Sequence, residues 1–141
     1  AEATNSISFG NITVTMKVPP VEIFADPLSI KAFYNILDNA LHHGEILTTI
    51  SISAQEDRTH ELVVVIKDNG SGVPDAEKER IFQYGVGKRT GFGLSFARTI
   101  LEVTGITIKE NGTFGKGARF EIRVPAGGWR NAEAPAWDTT G

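Results

Sequence analysis

Hydrophobic and polar positions alternate early in this chain. Val14, Met16 and Val18 share one phase among the β-branched neighbours of Ser6–Val18, which predicts a strand, or a hairpin around Gly10-Asn11. Val21–Ala25 adds a short strand. Asp26-Pro27 is a helix start, with Asp as N-cap and Pro in the first helical position. Ile30, Phe33, Leu37, Ala40 and Leu41 then recur at three- and four-residue spacing. That period predicts an amphipathic helix of about four turns, stopping at Gly44.

Further on, Thr48, Ile50, Ile52 and Ala54 alternate with polar residues as a half-buried strand. Leu62–Ile66 is a continuous apolar run with β-branched character, which predicts a central strand covered on both faces. Pro74–Phe82 is expected to form a short helix and Leu94–Glu102 another, while Ile106 and Ile108 pair with Phe120, Ile122 and Val124 as a hairpin. Three helices and five to seven strands, arranged in runs, predict an α+β chain. The expected architecture is a two-layer sandwich, with helices on one face of a mixed, mostly antiparallel sheet. Beyond Pro125 the chain is Gly-, Ala- and Pro-rich, with Trp129 and Trp137 isolated. One domain over 1–125 and a tail or linker over 126–141 are the expected division.

At 141 residues, one compact domain is the natural size. Lys plus Arg number 14 and Asp plus Glu 17, a net charge of −3, which argues against a nucleic-acid partner. No cysteine is present, so disulfides, thiol nucleophiles and Cys-based zinc sites are excluded, and a reducing, cytoplasmic setting fits. No apolar run reaches the ~18 residues of a membrane span, and the first residues do not resemble a signal peptide, so no direct membrane contact is expected. The 15 glycines cluster at Gly70 and Gly72, at Gly85–Gly93 and at Gly112–Gly117, as close turns or backbone approaches to a ligand require.

Three groups of residues could carry chemistry. Asn35 and Asn39 are four apart on one helix face, with His42 a further turn along. They either lie on the solvent edge of the apolar stripe or present hard amide oxygens to a phosphate-bound Mg²⁺. Asp68-Asn69-Gly70-Ser71-Gly72 follows the most apolar strand. It is either a plain turn or a carboxylate waiting for a ligand N–H, with Gly72 letting a flat ring approach the backbone. Gly85–Leu94 contains Lys88 and Arg89 between glycines, ahead of a helix. It is either an ordinary loop or a set of free N–H groups and cations for anionic oxygens. It has neither the P-loop nor the dinucleotide-fold spacing.

The order of these groups resembles the ATP-binding domain of the GHKL superfamily, most closely the catalytic and ATP-binding domain of sensor histidine kinases. Asn35–Ala40 matches the N box, Asp68–Gly72 the G1 box, Phe82 the F box, Gly91–Leu94 the G2 box and Gly115–Phe120 the last glycine box. The resemblance covers about Ser6–Pro125 and implies the Bergerat-type ATP-binding fold, with ATP and Mg²⁺ bound. It implies that Asn39 holds Mg²⁺, that Asn35 and His42 serve the phosphate side, and that Asp68 accepts from the adenine amine. Gly70, Gly72 and Val73 would shape the pocket wall. Tyr84–Thr90, with Lys88 and Arg89, looks like a short ATP lid, and Gly91, Phe92, Gly93 and Leu94 would meet the phosphates.

Two positions depart from the family pattern. His42 stands where histidine kinases usually carry Lys, and Ala118 replaces a Thr or Ser that could order adenine-site water. ATPases of the superfamily typically carry a Glu four residues before the metal-binding Asn, and here that residue is Asn35. An amide cannot act as general base, a role worth ~10²–10⁴-fold, so phosphoryl transfer to an imidazole is favoured over hydrolysis. His42 and His43 lie in the N box and His60 in a charged loop. The acceptor histidine is therefore expected on a dimerisation domain outside this chain, with a response regulator as indirect partner and a possible membrane anchor on the full-length protein. The alternative is a catalytically degenerate nucleotide-binding or docking module of the same fold.

Overall fold

The computed structural model describes residues 3–9, 12–43, 49–83 and 93–132, with side chains over 12–39, 49–83 and 93–132. Strands β1 (Ala3–Phe9), β2 (Ile12–Val18), β4 (Thr49–Glu56), β5 (Leu62–Asp68), β6 (Thr107–Glu110) and β7 (Arg119–Val124) form one sheet in the order β1-β2-β4-β5-β7-β6. Only β2 and β4 run parallel, with Val14 opposite Ile50; the other neighbours are antiparallel. Phe9 faces Ile12 in the β1–β2 hairpin. The turn expected at Gly10-Asn11 lies outside the described residues.

Helices α1 (Ser29–His43) and α2 (Gly93–Glu102) pack together over one face of this sheet. Ala32 and Ile36 of α1 meet Leu94, Ala97 and Leu101 of α2 and the inward residues Ile50, Leu62, Val64, Ile66, Ile108, Phe120 and Ile122 in one buried cluster. This is the two-layer α+β arrangement that the periodicity predicted.

Several local expectations need correction. The buried stripe of α1 runs through Ser29, Ala32 and Ile36, with Phe33 and Leu37 at its flanks, while Ile30 is 81% exposed. The helix thus turns its small residue Ala32 inward and leaves Ile30 outside. Asp26 does cap α1: its Oδ1 accepts from Leu28 N at 2.8 Å and its carbonyl from Ser29 N at 2.8 Å. The first turn is therefore tight, and regular helix begins at Ser29 rather than Pro27.

Strand β5 is covered on one face, not two. Leu62, Val64 and Ile66 are buried, whereas Val63 and Val65 are half-buried. Their cross-strand neighbours on that face are Gln55, Ser53, Arg123 and Glu121, polar residues rather than a second apolar layer.

Pro74–Phe82 is not one α-helix but two 3₁₀ turns, Asp75–Glu77 and Arg80–Phe82. Phe82 is their only buried residue, so packing gives a longer helix little to offset its nucleation cost. Finally, the tail does not begin at 126. Trp129–Asn131 forms β8, antiparallel to β3 (Val21–Ile23), in a separate two-stranded sheet. Phe24 N donates to Gly128 O at 2.7 Å, Ala132 N to Pro20 O at 2.8 Å, and Trp129 Nε1 to His60 O at 2.9 Å. The folded unit thus includes residues through Ala132, the last of the described residues. Trp137 lies outside the described residues.

Candidate active site

The carboxyl end of β5 carries Asp68, 9% exposed. Its Oδ1 accepts from Gly70 N at 2.9 Å and from Ala118 N at 3.0 Å, and its own N–H donates to Ala118 O at 3.0 Å. Among the described residues, Oδ2 has no hydrogen-bond partner. Two backbone donors fix the carboxylate through Oδ1, so Oδ2 is oriented and left able to accept from a ligand N–H.

The turn after Asp68 is fixed from two sides. Asn69 N donates to Thr49 O at 3.3 Å and Asn69 Oδ1 accepts from Thr49 N at 3.0 Å, tying it to β4. Gly115 N donates to Ser71 O at 2.8 Å, tying it to the β6–β7 turn. Glycine is required where these backbones touch. A Cβ on Gly72 (φ +79°) would lie 2.8 Å from Gly117 O, and one on Gly117 (φ +124°) would lie 1.9 Å from Asp68 O. The Cβ direction of Gly72 is therefore taken by the protein's own Gly117 carbonyl. Gly72 and Gly117 let the two turns close on Asp68.

The residues expected on the phosphate side lie on the helices. Asn35 Nδ2 donates to Gly93 O at 3.3 Å, so the N-box helix holds the first residue of α2. Asn39 is half-buried and its amide bonds no described residue. Gly93 has open space around its Cα among the described residues, and Leu94 is buried beneath it. No hydrogen bond among the described residues joins Asn35 or Asn39 to the Asp68 turn, so the site consists of two separate donor sets. The side chain of His42, together with Lys88, Arg89, Gly91 and Phe92, lies outside the described residues.

Phe82 supports the site from beneath. Its ring meets Phe120 edge-on at 6.2 Å, and the Arg98 guanidinium stacks 4.4 Å from its centroid. Arg98 also reaches Glu79 at 3.2 Å and Ile108 O at 3.4 Å. It thereby joins the 3₁₀ turns, α2 and β6.

Sequence reasoning overlooked three participants. Ala118 was noted for a missing hydroxyl, yet its backbone N–H and C=O both engage Asp68, a task no side chain performs. Glu110, 4% exposed, accepts from Gly112 N at 3.0 Å and Arg119 N at 2.9 Å through Oε2, and pairs with Lys78 through Oε1. The alternation that put Ile106 and Ile108 inward also puts Glu110 inward, and an inward carboxylate signals a buried partner.

The residues present fit an adenine nucleotide. One carboxylate oxygen of Asp68 is left over at the strand end, as an exocyclic amine needs, and the N-terminal end of α2 has the dipole that suits phosphates. For a metal, no cluster of three or more His, Cys, Asp or Glu side chains occurs among the described residues. A hard amide oxygen at Asn39 fits Mg²⁺, which takes few protein ligands and keeps phosphate and water.

Comparison with known proteins agrees with this geometry. Residues 25–128 match the family described as histidine kinase-, DNA gyrase B-, and HSP90-like ATPase. Sensor histidine kinase ZraS of Salmonella typhimurium is 36% identical over 73% of this chain and 23% of its own length. The adaptive-response sensory kinase SasA of Prochlorococcus marinus is 35% identical over 82% of this chain and 34% of its own. The chain thus spans about a quarter to a third of the curated relatives it matches. Among solved structures, full-length ShkA in complex with AMPPNP is similar at TM-score 0.72 and 25% identity, over 86% of this chain and 26% of that one. The ATP-binding domain of PrrB from Mycobacterium tuberculosis is similar at TM-score 0.68 and 28% identity, over 84% of this chain and 82% of that one. With that match across most of its length, the chain belongs to the histidine kinase-, DNA gyrase B- and HSP90-like ATPase family, as an ATP-binding catalytic domain of the sensor histidine kinase type.

Proposed function

We propose that this chain binds Mg-ATP and delivers its γ-phosphoryl group to a histidine on a dimerisation domain outside the chain. The observation that carries the adenine half of this reading is Asp68: Oδ1 is saturated by two backbone donors, while Oδ2 has no hydrogen-bond partner among the described residues. Oδ2 accepts from the adenine amine, with Gly70, Gly72 and Val73 forming the wall behind it. Asn39 contributes its amide oxygen to Mg²⁺, which offsets phosphate charge when bound. Asn35 steadies the lid end of α2 through Gly93, and Gly91, Phe92, Gly93 and Leu94 offer N–H groups to the phosphates. Lys88 and Arg89 add positive charge around them, and His42 offers a neutral imidazole where the family usually has Lys.

Phosphoryl transfer is mainly a matter of positioning and charge neutralisation. The bond from the γ-phosphorus to the β–γ bridging oxygen breaks, a phosphorus–nitrogen bond forms at the acceptor imidazole, ADP departs, and the ring proton passes to solvent. With Asn at position 35 the helix offers no carboxylate there to activate water, which favours the imidazole acceptor over hydrolysis. A response regulator then takes the phosphoryl group from that histidine, in the cytoplasm. The intact adenine acceptor disfavours the degenerate-module alternative.

The test is a calorimetric titration of the folded chain with non-hydrolysable ATP and GTP analogues, with and without Mg²⁺, followed by phosphorylation of the full-length protein. Adenine-selective, Mg²⁺-assisted binding and an acid-labile phosphohistidine are expected. Absence of binding by the folded chain would overturn the reading.

A further inference from the structure

Lys78 and Glu110 lie outside all the motif boxes, yet their wiring ends at the adenine site. The Lys78 ammonium uses three acceptors: Glu110 Oε1, Val73 O at 3.1 Å and Gly112 O at 2.9 Å. The Glu110 side chain is fully buried, and its other oxygen takes Gly112 N and Arg119 N. Glu110 therefore grips both ends of the segment 112–119, which includes Ala118, one of the two donors that orient the Asp68 carboxylate. Lys78 pulls the Val73 carbonyl, just beyond Gly72, toward the same segment. Two carboxylates thus share one turn: Asp68 holds its Ala118 end, and Glu110 holds it on either side of Gly117.

From this geometry we infer that Lys78 and Glu110 are positioning residues for base recognition, fixing the gap between the Asp68 carboxylate and the Val73 backbone wall in which a flat adenine is held. The inference rests on the adenine reading of the site proposed above. Neither residue touches the nucleotide. Their loss moves the wall relative to Asp68, which weakens the base contact and leaves the phosphate contacts on α1 and α2 intact. Misplacement by 1 Å can cost up to ~100-fold, and a relaxed rather than absent wall should cost about ten-fold.

Removing Lys78 alone strands a buried carboxylate and threatens folding. The main variant is therefore Lys78→Met/Glu110→Gln, which keeps an acceptor for Gly112 and Arg119 N–H and removes both charges. Dissociation constants for the ATP and GTP analogues are measured on protein shown to be folded by its thermal transition. The expected result is about ten-fold weaker ATP-analogue binding with the GTP analogue within about two-fold, and selectivity retained by Lys78→Arg in the otherwise unaltered chain, which keeps a charged N–H donor at that position. An unchanged ATP-to-GTP ratio, or equal weakening of both, would overturn the inference while leaving the adenine reading intact. Failure of the unaltered protein to prefer ATP would overturn both. Independently of any variant, amide exchange at Gly112 and Arg119 should slow when the ATP analogue binds and not with the GTP analogue; no slowing would also overturn it.

Discussion

Glu110 and Glu121 are both almost fully buried, on adjacent strands, and they face opposite sides of the same sheet. Glu110 points toward the helices and spends its oxygens on backbone N–H groups and one lysine. Glu121 points outward and spends its oxygens on Arg119 at 3.0 Å, Arg123 at 2.9 Å, Lys109 at 3.4 Å and the Asn111 amide. Burial pushes the Glu121 carboxyl up, but the hydrogen bonds from Arg119, Arg123 and Asn111 and the charge of Lys109 outweigh it and hold it at about 2. Arg123 extends the outer cluster to Asp57 and Glu61, and the Thr59 hydroxyl with Arg123 holds Asp57 well below the ordinary carboxylate range. The lesson is one of division. The inner carboxylates shape turns around a ligand site, and the outer one ties side chains across an open sheet face.

The largest effect that could break this division is in packing. Phe120→Ala, on the inner face beneath Phe82, should cost about 3–5 kcal/mol, against about 1 kcal/mol for half-buried Val63→Ala on the outer face. Denaturant unfolding of both variants checks this, and equal costs would contradict a one-sided core. Next is Asp68→Asn, which keeps an acceptor for Gly70 and Ala118 N–H but turns the free oxygen into a donor. It should weaken the ATP analogue by roughly 1.5–3 kcal/mol and barely change the GTP analogue, read by titration calorimetry.

Asn39→Ala should abolish the Mg²⁺ enhancement of ATP-analogue affinity, a loss of at least the ~10-fold that even an outer-shell metal partner is worth. Titrations with and without Mg²⁺ on the same protein measure it. The smallest effect concerns Glu121. Its folded value lies below the ordinary 4.5, so its contribution is complete above pH 4.5 and lost as pH falls from there toward about 2. Thermal melts from pH 7 to 2 should show that acid loss, and Glu121→Gln should flatten it without altering nucleotide affinity. A change in nucleotide affinity would join the two faces that the structure separates.

Much of the site was legible because its chemistry is local in sequence. Asp68, Gly70 and Gly72 stand together after an apolar run, and Asn35 and Asn39 stand one helical turn apart, so spacing alone put each pair on one element. What spacing left open was which partner each residue meets. Gly72 faces Gly117 and Asn35 faces Gly93, contacts across 45 and 58 positions that depend on how the sheet and helices close. The short helix expected over Pro74–Phe82 failed for a similar reason, since the segment has helical composition but only Phe82 to bury.

By itself the sequence determined the elements with a clear period, the two-layer class and the ordered glycine and amide motifs, because side-chain alternation and turn chemistry act over a few residues. Tertiary structure decided the remainder. It rotated α1 so that Ala32 rather than Ile30 is buried, and left β5 open on one face. It drew Trp129–Asn131 back onto β3, and brought Lys78, Glu110 and Ala118 to the turn that orients Asp68. Each of these depends on long-range burial and on backbone donors finding acceptors far along the chain, energies that no local pattern encodes.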